Sequence, residues 1–129
     1  MREILFRGKF GNEWKYGFLS IEPQGLVIKE QYKNNTSNVW HIYADTVGQY
    51  TGLTDKNGTK IFEGDILDFS DRSDGDGYGV VVYDTNETEF GIVYDSLFEG
   101  LGRHYHSKNI EVIGNIYDNP ELVGDENND

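Results

Sequence analysis

The side chains that could do chemistry in this 129-residue chain are carboxylates and imidazoles, because it contains no cysteine. Disulfides, thiolate metal sites and thiol nucleophiles are thereby excluded. Asp65 and Asp68 are the nearest candidates for an acid–base pair. Glu63 and Asp65 are better explained by turn and strand-entry geometry, with Asp65 accepting from backbone N–H groups. His104 and His106 lie two apart, so on a strand they share a face and could chelate zinc if a third ligand arrived. His41 or a carboxylate could be that ligand, but nothing in the spacing brings one close. The pair therefore reads as an exposed basic patch with Arg103 and Lys108. The stretch from Asp71 to Tyr83 tests as a calcium loop and fails. With Asp74, Asp76 and Gly77 in the third, fifth and sixth positions, Arg72 and Tyr83 fall where oxygen ligands are needed. No phosphate-cradling glycine loop with its lysine is present, and no nucleophile elbow. The expectation is a chain that is not an enzyme and uses neither cofactor nor metal.

Charge is divided along the chain. Residues 1–45 carry six Lys/Arg against five Asp/Glu, and residues 46–129 carry five against eighteen, for a net charge of −12. Between Glu63 and Glu99 there are eleven carboxylates and one base, Arg72. Such a stretch sets up a negative field that repels nucleic-acid phosphates and anionic lipid over about 8–10 Å. It either serves solubility alone or attracts a basic partner. No apolar run approaches the ~20 residues of a spanning helix. The N-terminal residues lack the apolar core of a secretory signal, so the expected location is the cytoplasm.

The elements that must position these residues are strands. Nine tyrosines, seven phenylalanines and sixteen glycines against two prolines predict many short strands joined by tight turns, with little helix. Strands are expected near residues 3–9, 14–21, 26–30, 39–43, 48–53, 65–69, 80–83, 89–94 and 109–116. Trp14, Tyr16 and Phe18 alternate as one face of a half-buried strand. Val80, Val81 and Val82 suit a strand buried on both sides. Ile110, Val112, Gly114 and Ile116 fall on one face of the last. Asn57-Gly58 suits a type I′ turn. Residues 71–77 read as a mobile hairpin connection and residues 34–38 as a loop. From Pro120 the acidic stretch 118–129 is expected to leave the domain as a flexible tail, with a short helical turn around Glu121 as the alternative. Gly64-Asp65-Ile66-Leu67 and the strands after it look like the entry of a small SH3-like barrel. The expected fold is thus mainly all-β: one domain over residues 1–117, with extra N-terminal strands in 1–45 and the barrel part in 46–117, or else a larger β unit preceded by a smaller one.

The run from Val47 to Leu67, holding Gly48-Gln49-Tyr50, Gly52, Asn57-Gly58 and Glu63-Gly64-Asp65, resembles the centre of the YopX family. Glu111 to Leu122, with Gly114-Asn115, Tyr117 and Pro120, resembles that family's C-terminal motif. The resemblance covers residues 46–69 and 79–122. It is weaker before residue 45, where Gly8-Lys9-Phe10 departs from the usual opening. Phe62 stands where Tyr is more usual. The resemblance implies a fold and a setting in bacteriophages, prophages and mostly Gram-positive hosts, and it implies no reaction. The motif residues Gly48, Gln49, Tyr50, Gly52, Gly58, Glu63, Gly64, Asp65, Gly114, Asn115, Tyr117 and Pro120 read as structural. The glycines provide close backbone approach, bulges or positive φ. A ligand groove beside Tyr50 and Tyr117 is the competing reading.

On these grounds the expected function is a non-catalytic interaction module with an acidic face, binding a host or phage protein. Tyr78, Tyr94 or Tyr105 would serve as anchors. An acidic mimic of DNA belongs to the same class. The alternatives are a small barrel that binds single-stranded nucleic acid, which the charge opposes outside residues 1–45 and 103–108, and a structural homo-oligomer built through strand edges. No membrane partner is expected.

Overall fold

Strands form where aromatic and β-branched residues run together, and they stop at Gly, Asn and Asp. The computed structural model describes residues 2–31, 37–69, 78–104 and 110–127. Its strands are β1 (Phe6–Phe10), β2 (Glu13–Glu22), β3 (Gly25–Gln31), β4 (Ser37–His41), β5 (Gly48–Thr54), β6 (Lys60–Phe62), β7 (Asp65–Phe69), β8 (Gly79–Asp84), β9 (Glu89–Tyr94), β10 (Leu97–Gly100) and β11 (Ile110–Asn115). One short helix, α1 (Leu101–His104), follows β10, and 3-10 turns cover Ala44–Thr46 and Pro120–Asn127. The strands form two sheets, ordered β4-β3-β2-β1-β5-β6 and β10-β9-β8-β7-β11. Compact units span residues 1–52 and 53–129, so the division falls inside β5.

In the first unit, antiparallel register sets Lys9 opposite Trp14, Arg7 opposite Tyr16 and Lys29 opposite Phe18. Opposed residues share a face. The Arg7 guanidinium lies 4.5 Å from the Trp14 ring centroid and the Lys9 ammonium 5.4 Å from it. The other face pairs Phe10 with Trp40 at 5.0 Å, and Lys15 Nζ sits 3.9 Å over Trp40. Ile28 and Ile42 are buried. Trp14 is half-buried as its alternation predicts, but Tyr16 and Phe18 are 43% and 59% exposed. Alternation placed the three on one face, but whether a face is covered depends on the packing of the rest of the chain.

The core of the second unit is Ile61, Leu67, Phe69, Val81, Ile92, Leu101 and Ile110, with Tyr94 and Val112 packed against it. Burying such side chains contributes about 1.5–3 kcal/mol each. Leu101 reaches this core because α1 turns back on β9 as β10 ends. Val81 is fully buried while Val80 and Val82 are half-buried, so β8 has one dry face. A bulge between Val112 and Gly114 breaks the alternation expected along β11.

Two further features differ from expectation. The sheets do not close into an SH3-like barrel: β10 and β11 are opposite edges of an open five-stranded sheet. Closure requires the two edges to meet with a fixed stagger, and no such pairing is present among the described residues. The Asn57-Gly58 turn is not type I′. Gly58 alone has positive φ, at 81°. The Gly58 N–H donates to the Asp55 carbonyl and the Asp55 N–H to the Thr59 carbonyl. That is a three-residue loop ending in a left-handed glycine. The two-residue turn with positive φ at both positions lies instead at Asp95 (49°) and Ser96 (64°), between β9 and β10.

Candidate functional site

The motif residues build two joints in the second unit. The first is centred on Asp55, which is 3% exposed. Its Oδ1 accepts from the backbone N–H groups of Asn57 and Thr59, each at 2.9 Å, and its Oδ2 from that of Val112 at 2.9 Å. One carboxylate thus closes the β5–β6 loop and fastens it to β11. The Lys56 N–H adds a bond to the Ile110 carbonyl at 3.0 Å. Burial pushes the Asp55 carboxyl up, but the bonds from Val112, Thr59 and Asn57 together outweigh it and hold the group below its ordinary value of 3.8. On the rim, Glu111 takes Asn57 Nδ2 at 3.3 Å and Lys56 Nζ at 3.5 Å.

The second joint gathers Gly64, Asp65, Gly114, Asn115 and Tyr117. Gly64 has φ +89°, and a Cβ there would sit 3.1 Å from the Tyr117 ring. Its N–H donates to Val81 and its carbonyl accepts from Ile116, both at 2.9 Å. Gly64 therefore supplies both the left-handed turn and a close approach to Tyr117 that a Cβ would crowd. Asp65 is 2% exposed and its Oδ2 accepts from the Phe62 N–H at 2.7 Å. Asn115 Oδ1 accepts from the N–H groups of Tyr117 (3.0 Å) and Asp118 (2.9 Å), while its own N–H donates to Asn119 Oδ1 (3.2 Å). A Cβ on Gly114 would lie 2.5 Å from that Asn119 oxygen. Pro120 opens the following 3-10 helix, its fixed φ suiting a first helical position.

Other motif residues lie elsewhere. Gly48 and Gln49 sit on β5 opposite Arg7 and Phe6. Tyr50 is buried, and its N–H donates to the Leu5 carbonyl at 2.8 Å. Gly52 is exposed with φ +92° and open space around it. Glu63 is half-buried at the β6–β7 turn. Asp55 is not among the family-motif candidates, though an Asp at the head of Lys-Asn-Gly-Thr is the signal for a carboxylate that caps its own turn.

The remaining sequence candidates do not assemble into a site. Asp65 and Asp68, three apart on β7, project to opposite faces. The 71–77 stretch and Tyr105, His106 and Lys108 lie outside the described residues. Among the described residues no group of His, Asp and Glu is arranged to hold a metal. Tyr94 is no exposed anchor: it packs on Phe69 at 5.1 Å and its hydroxyl donates to Glu99 at 2.8 Å. Tyr78 is exposed. Among the described residues no helix is long and apolar enough to cross a membrane.

Two open antiparallel sheets with these hydrogen-bonded joints define a small, mainly β protein. The YopX protein family model matches residues 7–124, and the chain belongs to that family. The fold is similar to that of protein EF1440 from Enterococcus faecalis, at 23% identity over 95% of this chain and 99% of that one, with a TM-score of 0.55. It is also similar to protein yopX from Bacillus subtilis, at 19% identity over 92% of this chain and 97% of that one, with a TM-score of 0.60. At these identities the likeness speaks to the fold alone. No curated protein matches the chain.

Proposed function

We propose that this chain is a non-catalytic interaction module of phage or prophage origin, working in the bacterial cytoplasm, whose acidic second unit engages a basic host or phage protein. The observation that supports this is that charge and architecture divide at nearly the same place. Residues 1–52 carry six Lys/Arg against five Asp/Glu, while residues 53–129 carry five against eighteen. Asp55 and Asp65 are spent inside the fold, whereas Asp68, Glu87 and Glu121 are exposed and free to contribute to a field. A field of that sign steers a basic partner and speeds its encounter. The motif glycines and Asn115 hold the scaffold and are not the contact residues.

The test is a tagged pull-down from lysate of a Gram-positive host, washed at low and at moderate salt, beside a triple variant Asp68→Asn, Glu87→Gln, Glu121→Gln. The reading expects a basic protein retained by the parent at low salt, released at moderate salt, and not retained by the variant. Equal retention by both, or retention of nothing but the chain itself, refutes it. In the second case light scattering decides for a homo-oligomer.

A further inference from the structure

We infer that the face of the first sheet carrying Trp14, Tyr16 and Phe18 binds single-stranded nucleic acid. Each of these aromatics on β2 has a cation directly opposite on a neighbouring strand: Lys9 for Trp14, Arg7 for Tyr16, Lys29 for Phe18. Alternate residues of a strand stand about 6.8 Å apart, so the three rings form an evenly spaced row with a lysine at each end, Lys9 beside Trp14 and Lys29 beside Phe18, while Arg7 is buried. Charge in this unit is sorted between the faces. The strand residues on the aromatic side carry Arg7, Lys9 and Lys29 with one acid, Glu22, at the far end, 3.7 Å from Lys29. The other side carries Lys15 with Glu13 and Glu30.

The three rings have different roles. Arg7 is 5% exposed and holds the half-buried Trp14 from below, so this end of the row is rigid. Tyr16 and Phe18 are 43% and 59% exposed and present ring area to solvent. Lys29 and Glu22 form a surface pair, which is weak and readily exchanged for a phosphate. Exposed rings on a sheet, interleaved with cations that track a backbone, are what unstacked bases require; paired bases in a duplex do not offer their faces. An acidic peptide would use the lysines and leave the rings idle. The negative field opposes a strand on the second unit. The residues of this face all belong to the first unit, so this inference is independent of the protein-binding role proposed above.

The test is fluorescence anisotropy of labelled oligo(dT) and oligo(U) of about 12 nucleotides at low salt, with parent, Phe18→Ala, Phe18→Tyr and Ile21→Ser. Ile21 lies on the opposite face of β2 and is 83% exposed, so it controls for the strand itself. The inference expects saturable binding of one or both oligomers, and which one wins identifies DNA or RNA as the source. Phe18→Ala should weaken it by about 10-fold or more, with Phe18→Tyr near the parent and Ile21→Ser unchanged. Two lysine–phosphate contacts predict a slope of log K against log salt of about −1.4. Phe18 is exposed, so its variants fold, and unchanged tryptophan fluorescence of the free protein checks this. No saturable binding, equal binding by Phe18→Ala, or equal competition by duplex DNA or by an acidic peptide overturns the inference.

Discussion

Replacing Asp55 tests the reasoning about the joints most directly. Its carboxylate accepts three backbone N–H groups at 2.9 Å, two within its own loop and one from β11. A hydrogen bond to a charged acceptor is worth about 1.5–3 kcal/mol net, and a neutral one about 0.5–1.5. In Asp55→Ala, water can replace the acceptor for Asn57 and Thr59, which are exposed, but less readily for half-buried Val112. Counting about 0.5–1 kcal/mol for each loop donor and 1.5–3 for Val112 gives a loss of roughly 2.5–5 kcal/mol. Asp55→Asn keeps one acceptor oxygen and loses the bond to Val112, so it should cost about 1.5–3 kcal/mol. For a domain of this length each kcal/mol moves Tm by about 3–5 °C. Both tryptophans lie in the first unit. Circular dichroism therefore has to be recorded beside fluorescence, since only the former reads the second unit. The pH dependence has a definite sign. The folded carboxyl sits below 3.8, so its contribution is fully present above that value and is lost as pH falls through the folded pKa. The stability gap between parent and Asp55→Asn should narrow on acidification. An Asp55→Asn protein as stable as the parent at neutral pH, or a gap that ignores pH, would refute the account.

Further expectations concern single positions, each read by urea denaturation. Gly64→Ala should cost clearly more than Gly52→Ala: both have φ near +90°, but only at Gly64 does the new Cβ meet a ring, that of Tyr117 at 3.1 Å. Backbone strain alone accounts for about 1 kcal/mol in each, and equal losses would remove the role given to Tyr117. Asn115→Ala should lose about 1–3 kcal/mol, because the N–H groups of Tyr117 and Asp118 lose their acceptor; wild-type stability would show that turn to be self-supporting. Gly91→Ala should destabilise by about 1–3 kcal/mol, since a Cβ there lies 2.3 Å from the Phe98 ring, and truncating Phe98 in the same chain should recover part of the loss. Glu111→Gln should change stability by less than about 1 kcal/mol, its partners Lys56 and Asn57 being on the surface; a larger loss would move Glu111 into the joint itself.

Much of the strand content was legible because it depends on local pattern. β7 and β9 fall where the aromatic and β-branched runs begin and end, and β2, β3 and β5 differ from expectation by a residue or so at either end. Short strands escaped. Lys60–Phe62 and Leu97–Gly100 carry too few residues to show a period, and both are held by neighbours that a sequence does not reveal. Leu101 was likewise invisible as a core residue until α1 placed it on β9. The glycines were legible as special, but their reasons differ. Gly64 and Gly58 need positive φ, whereas Gly114 needs the space that Asn119 fills.

By itself, then, the amino-acid order determined what depends on residues close in the chain: a mainly β protein, the place of the Asn57-Gly58 turn, the absence of thiol chemistry, the split of charge and the family motifs. Tertiary structure decided what depends on distant residues meeting. It left the second sheet open where local pattern suggested a barrel, because closure is set by which edges pair and not by strand content. It chose a three-residue loop at Asn57-Gly58, because Asp55 also had to reach Val112, far along the chain. It left Tyr16 and Phe18 exposed beside Arg7 and Lys29, because period-2 alternation assigns a residue to a face while long-range packing decides which face is covered.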